Sequence, residues 1–224
     1  QNNHDWKACS PEMINILEAT GRFQIERATV PKEEVVDFNP EWTKYDVLLT
    51  NYNGVPWPEE TKSSFETYLK EGGSLVVVHA ADNSFRNWTE YNRMIGLGGW
   101  GGRNEKDGPY VYWKDGEFVR DDSPGRGGAH GKPWEYKVIV RDTEHPITKG
   151  LPTEFLQAKE ELYDRLRGPA ENMSILATAF APEDTGGSGR HEPVLMPISY
   201  GEGRVFHTVM GHDAKSMRGV AFQE

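Results

Sequence analysis

Residues 74–83 read Ser-Leu-Val-Val-Val-His-Ala-Ala-Asp-Asn. The unbroken apolar run Leu75-Val76-Val77-Val78 suits a strand covered on both faces. Just before it, Gly72-Gly73 stop a helix that Pro58 opens. Ahead of that helix, Val47-Leu48-Leu49 marks another apolar strand over residues 45–50. Strand, helix and strand at this spacing imply a parallel βαβ unit. The predicted class is therefore α/β: a flavodoxin-like, doubly wound, mostly parallel sheet flanked by helices. In such sheets ligands bind outside the carboxyl ends of the strands. Here those ends carry Asn51, Tyr52, Asn53 and His79 through Asn83.

Working outward, residues 11–19 read as a helix capped by Ser10, with Pro11 in its first turn. Residues 23–30 alternate like a strand, and residues 88–95 suit a short helix. A Gly-rich insertion follows over residues 96–131, broken by a hairpin around Lys114-Asp115-Gly116. It carries Trp100, Arg103, Arg126 and His130, the composition of a binding loop. Strands are expected over residues 134–140, 175–179, 194–200 and 204–209, the last two joined by Gly201-Glu202-Gly203. No internal repeat or boundary appears, so residues 1–224 read as a single domain.

The 224 residues are 36% hydrophobic and 27% charged, with a formal net charge of -10. That balance suits a globular chain, and no Lys/Arg cluster is present to neutralise nucleic-acid phosphates. No apolar run is long enough to span a bilayer. One cysteine, Cys9, rules out an internal disulfide and any multi-cysteine zinc module.

Dinucleotide-binding and phosphate-binding glycine loops, a Gly-x-Ser-x-Gly elbow and a His-Glu-x-x-His helix are all absent. Seven histidines remain. His145, before Pro146, reads as a turn residue, and His191 as part of a loop. His4 falls in a loop that would follow a first strand preceding the sequence. His79 ends the most apolar strand, His207 lies in a late strand, and His212 follows it beside Asp213. Parallel strands would bring several of these to one rim. Histidine there serves as proton carrier near neutral pH or as metal ligand. Glu160-Glu161 offers a carboxylate to orient it. Trp6, Tyr52, Trp88, Trp100 and Tyr163 suit stacking on sugar rings, with core packing as the alternative.

These residues resemble the ThuA-like (trehalose-utilisation) family along nearly the whole chain. The matching motifs are Asn2-Asn3-His4-Asp5-Trp6-Lys7-Ala8, Val78-His79-Ala80-Ala81, and Asp142 with His145-Pro146-Ile147 and Gly150-Leu151. Glu160-Glu161-Leu162-Tyr163, Glu192-Pro193-Val194, Gly203-Arg204-Val205-Phe206-His207-Thr208 and Gly211-His212-Asp213 complete the set. Glu160 stands where the family pattern has Asp. The resemblance implies a fold like class I glutamine amidotransferases. Those enzymes need a cysteine at the turn after the central strand, where this chain has His79 and Ala80; glutaminase chemistry is therefore not expected.

The resemblance further implies a small-molecule carbohydrate partner, in particular a 3-keto sugar or glycoside processed by general-base chemistry. On that reading His79 and Glu161 are base or ligand, His212 and Asp213 support them, and His4, Asn51, Asn53, Trp100 and His130 bind the sugar. A metal reading has His79, His207 and His212, with Glu161, holding a divalent ion such as zinc. A third is a non-catalytic sugar-binding domain on a degenerate amidotransferase fold. Periplasmic or secreted localisation is favoured over cytoplasmic.

Overall fold

The computed structural model describes residues 4–223, so Asn2 and Asn3 of the opening motif lie outside the described residues. Strand β1 (Leu48–Thr50) leads through helix α2 (Glu59–Lys70) to β2 (Ser74–Val78). β1 and β2 pair in parallel, as the sequence spacing requires. Along β2 the side chains alternate between the sheet's two faces. Leu75 and Val77 join Phe65 and Leu69 of α2 in the main core. Val78, with Val76 packed against it, joins Cys9 and Met13 in a smaller cluster. The unbroken apolar run is thus explained, because both faces of this strand are covered.

The two clustered residues Cys9 and Met13 belong to helix α1 (Trp6–Ala19). It starts five residues before the expected position. Asp5, not Ser10, is the cap, its carboxylate accepting from the Ala8 N–H. Pro11 lies inside the helix and withholds an N–H from the Lys7 carbonyl. Asp5 is as good a cap as Ser10 and comes first, so the helix gains a turn.

After α2 and β2 come helix α3 (Thr89–Ile95), the hairpin β3 (Tyr110–Lys114) and β4 (Glu117–Asp121), and β5 (Ala129–His130). Then follow β6 (Trp134–Val140), β7 (Glu154–Glu160), β8 (Tyr163–Asp164), β9 (Ala177–Ala181), β10 (Arg190–Tyr200) and β11 (Gly203–Thr208). Helices α4 (Ala214–Met217) and α5 (Val220–Gln223) end the described chain. The main sheet runs β1-β2-β11-β10-β9-β6-β7, with β3 and β4 attached to β10.

The protein is mixed α/β, but the sheet is not mostly parallel. Parallel pairing joins β1 to β2 and β2 to β11. The ladders from β11 to β7 are antiparallel. For β10 and β11 the physical reason is connection length. Tight turns such as Gly201-Glu202 can return a chain only antiparallel, whereas a parallel return needs a crossover. Residues 23–30 form no ladder, in contrast to the alternation of their sequence. Part of this stretch instead walls a groove of about 780 Å³ against β1. Among the described residues no helix is long and apolar enough to cross a membrane.

Candidate metal centre

β2 delivers His79 to the rim of the sheet on a strained turn. The residue has φ of +44°, a left-handed conformation that non-glycine residues rarely adopt. Its ring is 2% exposed. His79 Nδ1 lies 2.5 Å from the Val209 carbonyl oxygen. A carbonyl only accepts, so Nδ1 carries the proton and Nε2 presents a bare lone pair. Burial, and next the neighbouring His4, hold its pKa well below the usual value, so the ring is neutral.

That lone pair faces two other imidazoles. His4 Nε2 is 3.2 Å away and His212 Nδ1 is 3.3 Å away. His212 Nδ1 also lies 3.2 Å from Glu161 Oε2. His4 comes from the segment entering α1, where its carbonyl accepts from the Trp6 N–H. The Tyr163 hydroxyl stands 3.2 Å from His4 Nε2, and its ring stacks on His79 at 3.9 Å between centroids. Burial, ahead of the charge of His212, lowers the pKa of His4 to about 4. For His212, burial favours the neutral ring, but the Glu161 hydrogen bond together with the charges of Glu161, Asp213 and Glu160 outweighs it and the pKa rises. For Glu161, burial favours the acid, but His212 outweighs it and the pKa falls.

His212 follows β11 on a turn at Gly211, whose φ of +100° an L-residue would resist. Glu160 fixes this turn. Its Oε2 accepts from the N–H groups of Gly211 and His212 at 2.9 and 2.8 Å. Its Oε1 accepts from the Tyr136 hydroxyl and Gln157 Nε2 at 2.8 and 2.7 Å. Burial pushes its carboxyl above the usual range, opposed by these donors. Adjacent residues in an extended chain point opposite ways, so Glu160 faces inward while Glu161 faces the histidines.

The donor atoms of His4, His79, Glu161 and His212 all lie within 4.8 Å of one another. Zinc bound to imidazole at 2.0–2.1 Å in a tetrahedron has ligand atoms about 3.3 Å apart. Three of the separations, at 3.2, 3.3 and 3.2 Å, match that edge. Three imidazoles and one carboxylate suit a divalent transition metal. His79 also has the second-shell carbonyl that fixes a ligating tautomer.

The other expected site residues fall in four places. His130 Nε2 lies 3.6 Å from Glu161 Oε2, and Trp100 packs against both Tyr163 and His130, at 4.5 and 6.0 Å between centroids. Asn51 and Asn53 line the groove beside β1, where Asn51 Nδ2 donates to Ser10 Oγ. His207 is not part of the donor set. It is fully buried on β11, with Nε2 3.2 Å from Asp82 Oδ2 and Nδ1 2.9 Å from the Ile95 carbonyl. Its place in a late strand had suggested the shared rim, but it pairs with Val77, inside the sheet, and is enclosed in the core. Asp213 caps α4 by accepting from the Ser216 N–H, and its charge also acts on the neighbouring His212, raising that imidazole's pKa. Tyr52 and Trp88 stack on Phe85 and Tyr91 in the aromatic core. Trp6 lines the groove. Cys9 is buried, its thiol pushed up to about 11 by burial and then by Asp213 and Asp5, so it is not a nucleophile.

The sequence reading named Glu160 only as one of a pair of carboxylates and missed its hold on the Gly211–His212 turn. The alternation of β7 was the available signal for Glu160.

A ThuA-like protein from Parabacteroides merdae is 46% identical, with a TM-score of 0.96 over 100% of this chain and 83% of that one. A ThuA-like protein from Bacteroides uniformis is 18% identical, with a TM-score of 0.64 over 99% of this chain and 84% of that one. A cytoplasmic protein from Salmonella typhimurium LT2 is 16% identical, with a TM-score of 0.56 over 96% and 82%. These last two share the fold. Among curated proteins none matches. The family model for ThuA, described as trehalose utilisation, matches residues 1–224, and the chain belongs to that family.

Proposed function

We propose that the protein processes a carbohydrate, a 3-keto sugar or glycoside, at a divalent-metal centre held by His4, His79, His212 and Glu161, with zinc the natural candidate. The observation that carries this reading is the inward lone pair of His79 within a donor set of tetrahedral spacing. The sugar comes from membership of a trehalose-utilisation family. A bound divalent ion supplies Lewis-acid polarisation of a carbonyl oxygen. A ketone makes the hydrogens on its neighbouring carbons acidic, and a base at the rim is then enough to begin enolisation or elimination. His130, beside Glu161 and facing solvent, is the imidazole placed for that proton. Trp100 offers a flat face for the sugar ring. No cysteine takes part.

The test begins with tag-free protein, analysed for bound metal before and after zinc is added. About one ion per chain is expected, with none retained by His79→Ala. Zinc-loaded protein is then incubated with 3-keto-trehalose in deuterated water and followed by proton NMR. Deuterium beside the ketone, or loss of the glycosidic bond, is expected for wild type and not for His79→Ala. Failure to take up zinc would overturn the metal centre. Sugar binding without either change would leave a non-catalytic sugar-binding domain.

A further inference from the structure

We propose that the cleft beside Trp100 is a subsite for an anionic substituent, a carboxylate or phosphate, on the carbohydrate handled at the His4–His79–His212–Glu161 centre. The inference rests on the reading of that centre given above. The cleft has a volume of about 440 Å³, and Trp100, Arg103, Arg126 and His130 contribute to its wall. It adjoins the centre through His130, which neighbours Glu161.

The aromatic wall is rigidly built. Trp100 is held at φ of +52°, and its N–H donates to the Gly127 carbonyl. A Cβ at Gly128 would stand 2.5 Å from the Trp100 nitrogen, so only glycine lets the two loops approach this closely. The backbone of Arg126 is pinned as well, its carbonyl accepting from the Tyr110 hydroxyl at 2.8 Å.

Charge singles the cleft out. Arg103 is 1% exposed, yet its guanidinium donates only to neutral acceptors: the carbonyls of Asn83, Gly99 and Ser84, and Asn92 Oδ1. Its Nε has no acceptor among the described residues. Asp82 and Asp107, the acids that act on it electrostatically, are bonded to His207 and Arg86 instead. Arg126 is exposed at the cleft and forms no salt bridge among the described residues; Asp164, the acid on which its charge acts, is bonded to Arg165 instead. Two arginines without a carboxylate partner therefore share one small cleft of a protein whose net charge is -10. Such a concave, locally positive surface attracts anions, and a guanidinium matches the oxygens of a carboxylate or phosphate.

The test is calorimetric titration of the zinc-loaded protein with three ligands of one sugar configuration: the neutral hexoside, the hexuronic acid glycoside and the hexoside 6-phosphate. At least one anionic ligand is expected to bind about tenfold more tightly than the neutral one, with the gain shrinking at high salt. Arg126→Ala should remove that gain and leave the neutral affinity unchanged, while Arg126→Lys should keep part of it. A gain confined to the uronide or to the phosphate identifies the group. Equal binding of all three, or a gain that persists in Arg126→Ala, overturns the subsite and leaves the carbohydrate reading intact. Binding of none overturns both.

Discussion

Glu192 lies on β10 with 3% of its surface exposed, and its Oε1 accepts from Ser188 Oγ at 2.6 Å. Burial, opposed by that bond and reinforced by the nearby Asp164, raises its pKa from 4.5 to about 7. The folded state therefore keeps a proton that the unfolded chain releases. Its stabilising contribution is full below about pH 4.5, declines as pH rises towards 7, and is lost above that. From the printed shift, the loss is roughly 3 kcal/mol. Urea unfolding at pH 5 and pH 8 should show wild type weaker at the higher pH. Glu192→Gln, which stays neutral, should be nearly free of this component and exceed wild type at pH 8. An unchanged pH profile in the variant would refute the assignment. The motif Glu192-Pro193-Val194 was visible in the sequence, but the strand was expected only from residue 194, which left Glu192 outside it. Only the strands on either side reveal that it is enclosed.

At the scale of elements, the centre depends on the turn between β11 and α4. Glu160 grips that turn from β7, and all four of its hydrogen-bond partners are donors. A carboxylate can accept from all four, whereas the amide of glutamine must turn its NH₂ towards two donors. Glu160→Gln is therefore expected to release the Gly211–His212 backbone. Stability should fall by about 1–3 kcal/mol, from donors left buried without an acceptor. Zinc affinity, measured by chelator competition, should fall about 10- to 100-fold, as for other groups that orient a ligand. Wild-type affinity in a variant that is merely less stable would mean that Glu160 holds the fold and not the site. The neighbouring pair Glu160-Glu161 was legible as a source of carboxylate. Which of the two meets the histidines follows from the register at the end of β7, and a one-residue slip would exchange their roles.

For the whole molecule, four separate chain segments meet at one point: the entry to α1, the turn after β2, the end of β7 and the turn after β11. An ion bound there ties the folded state together and is absent from the unfolded chain. Zinc at about a thousandfold over its dissociation constant should stabilise the protein by roughly 4 kcal/mol. For a chain of this size, each kcal/mol raises Tm by about 2–4 °C. Thermal melts with zinc and with a chelator should separate accordingly, and His79→Ala should melt alike in both. Coincident wild-type curves would count against the centre. By itself, the sequence determined the βαβ unit, because an apolar run of two-sided period and the glycines and prolines around it are local signals. It also determined that no cysteine stands at the turn after β2, and it marked His79, His212 and Glu161 as reactive candidates. The tertiary structure decided the rest. Antiparallel pairing of the later strands made the sheet mixed rather than mostly parallel. Packing turned His207 inward to Asp82, made Asp213 a helix cap beside His212, and placed His4 beside His79. Spacing along the chain carries no information on which side chains meet across 75 or 133 residues; packing of the two sheet faces supplies it.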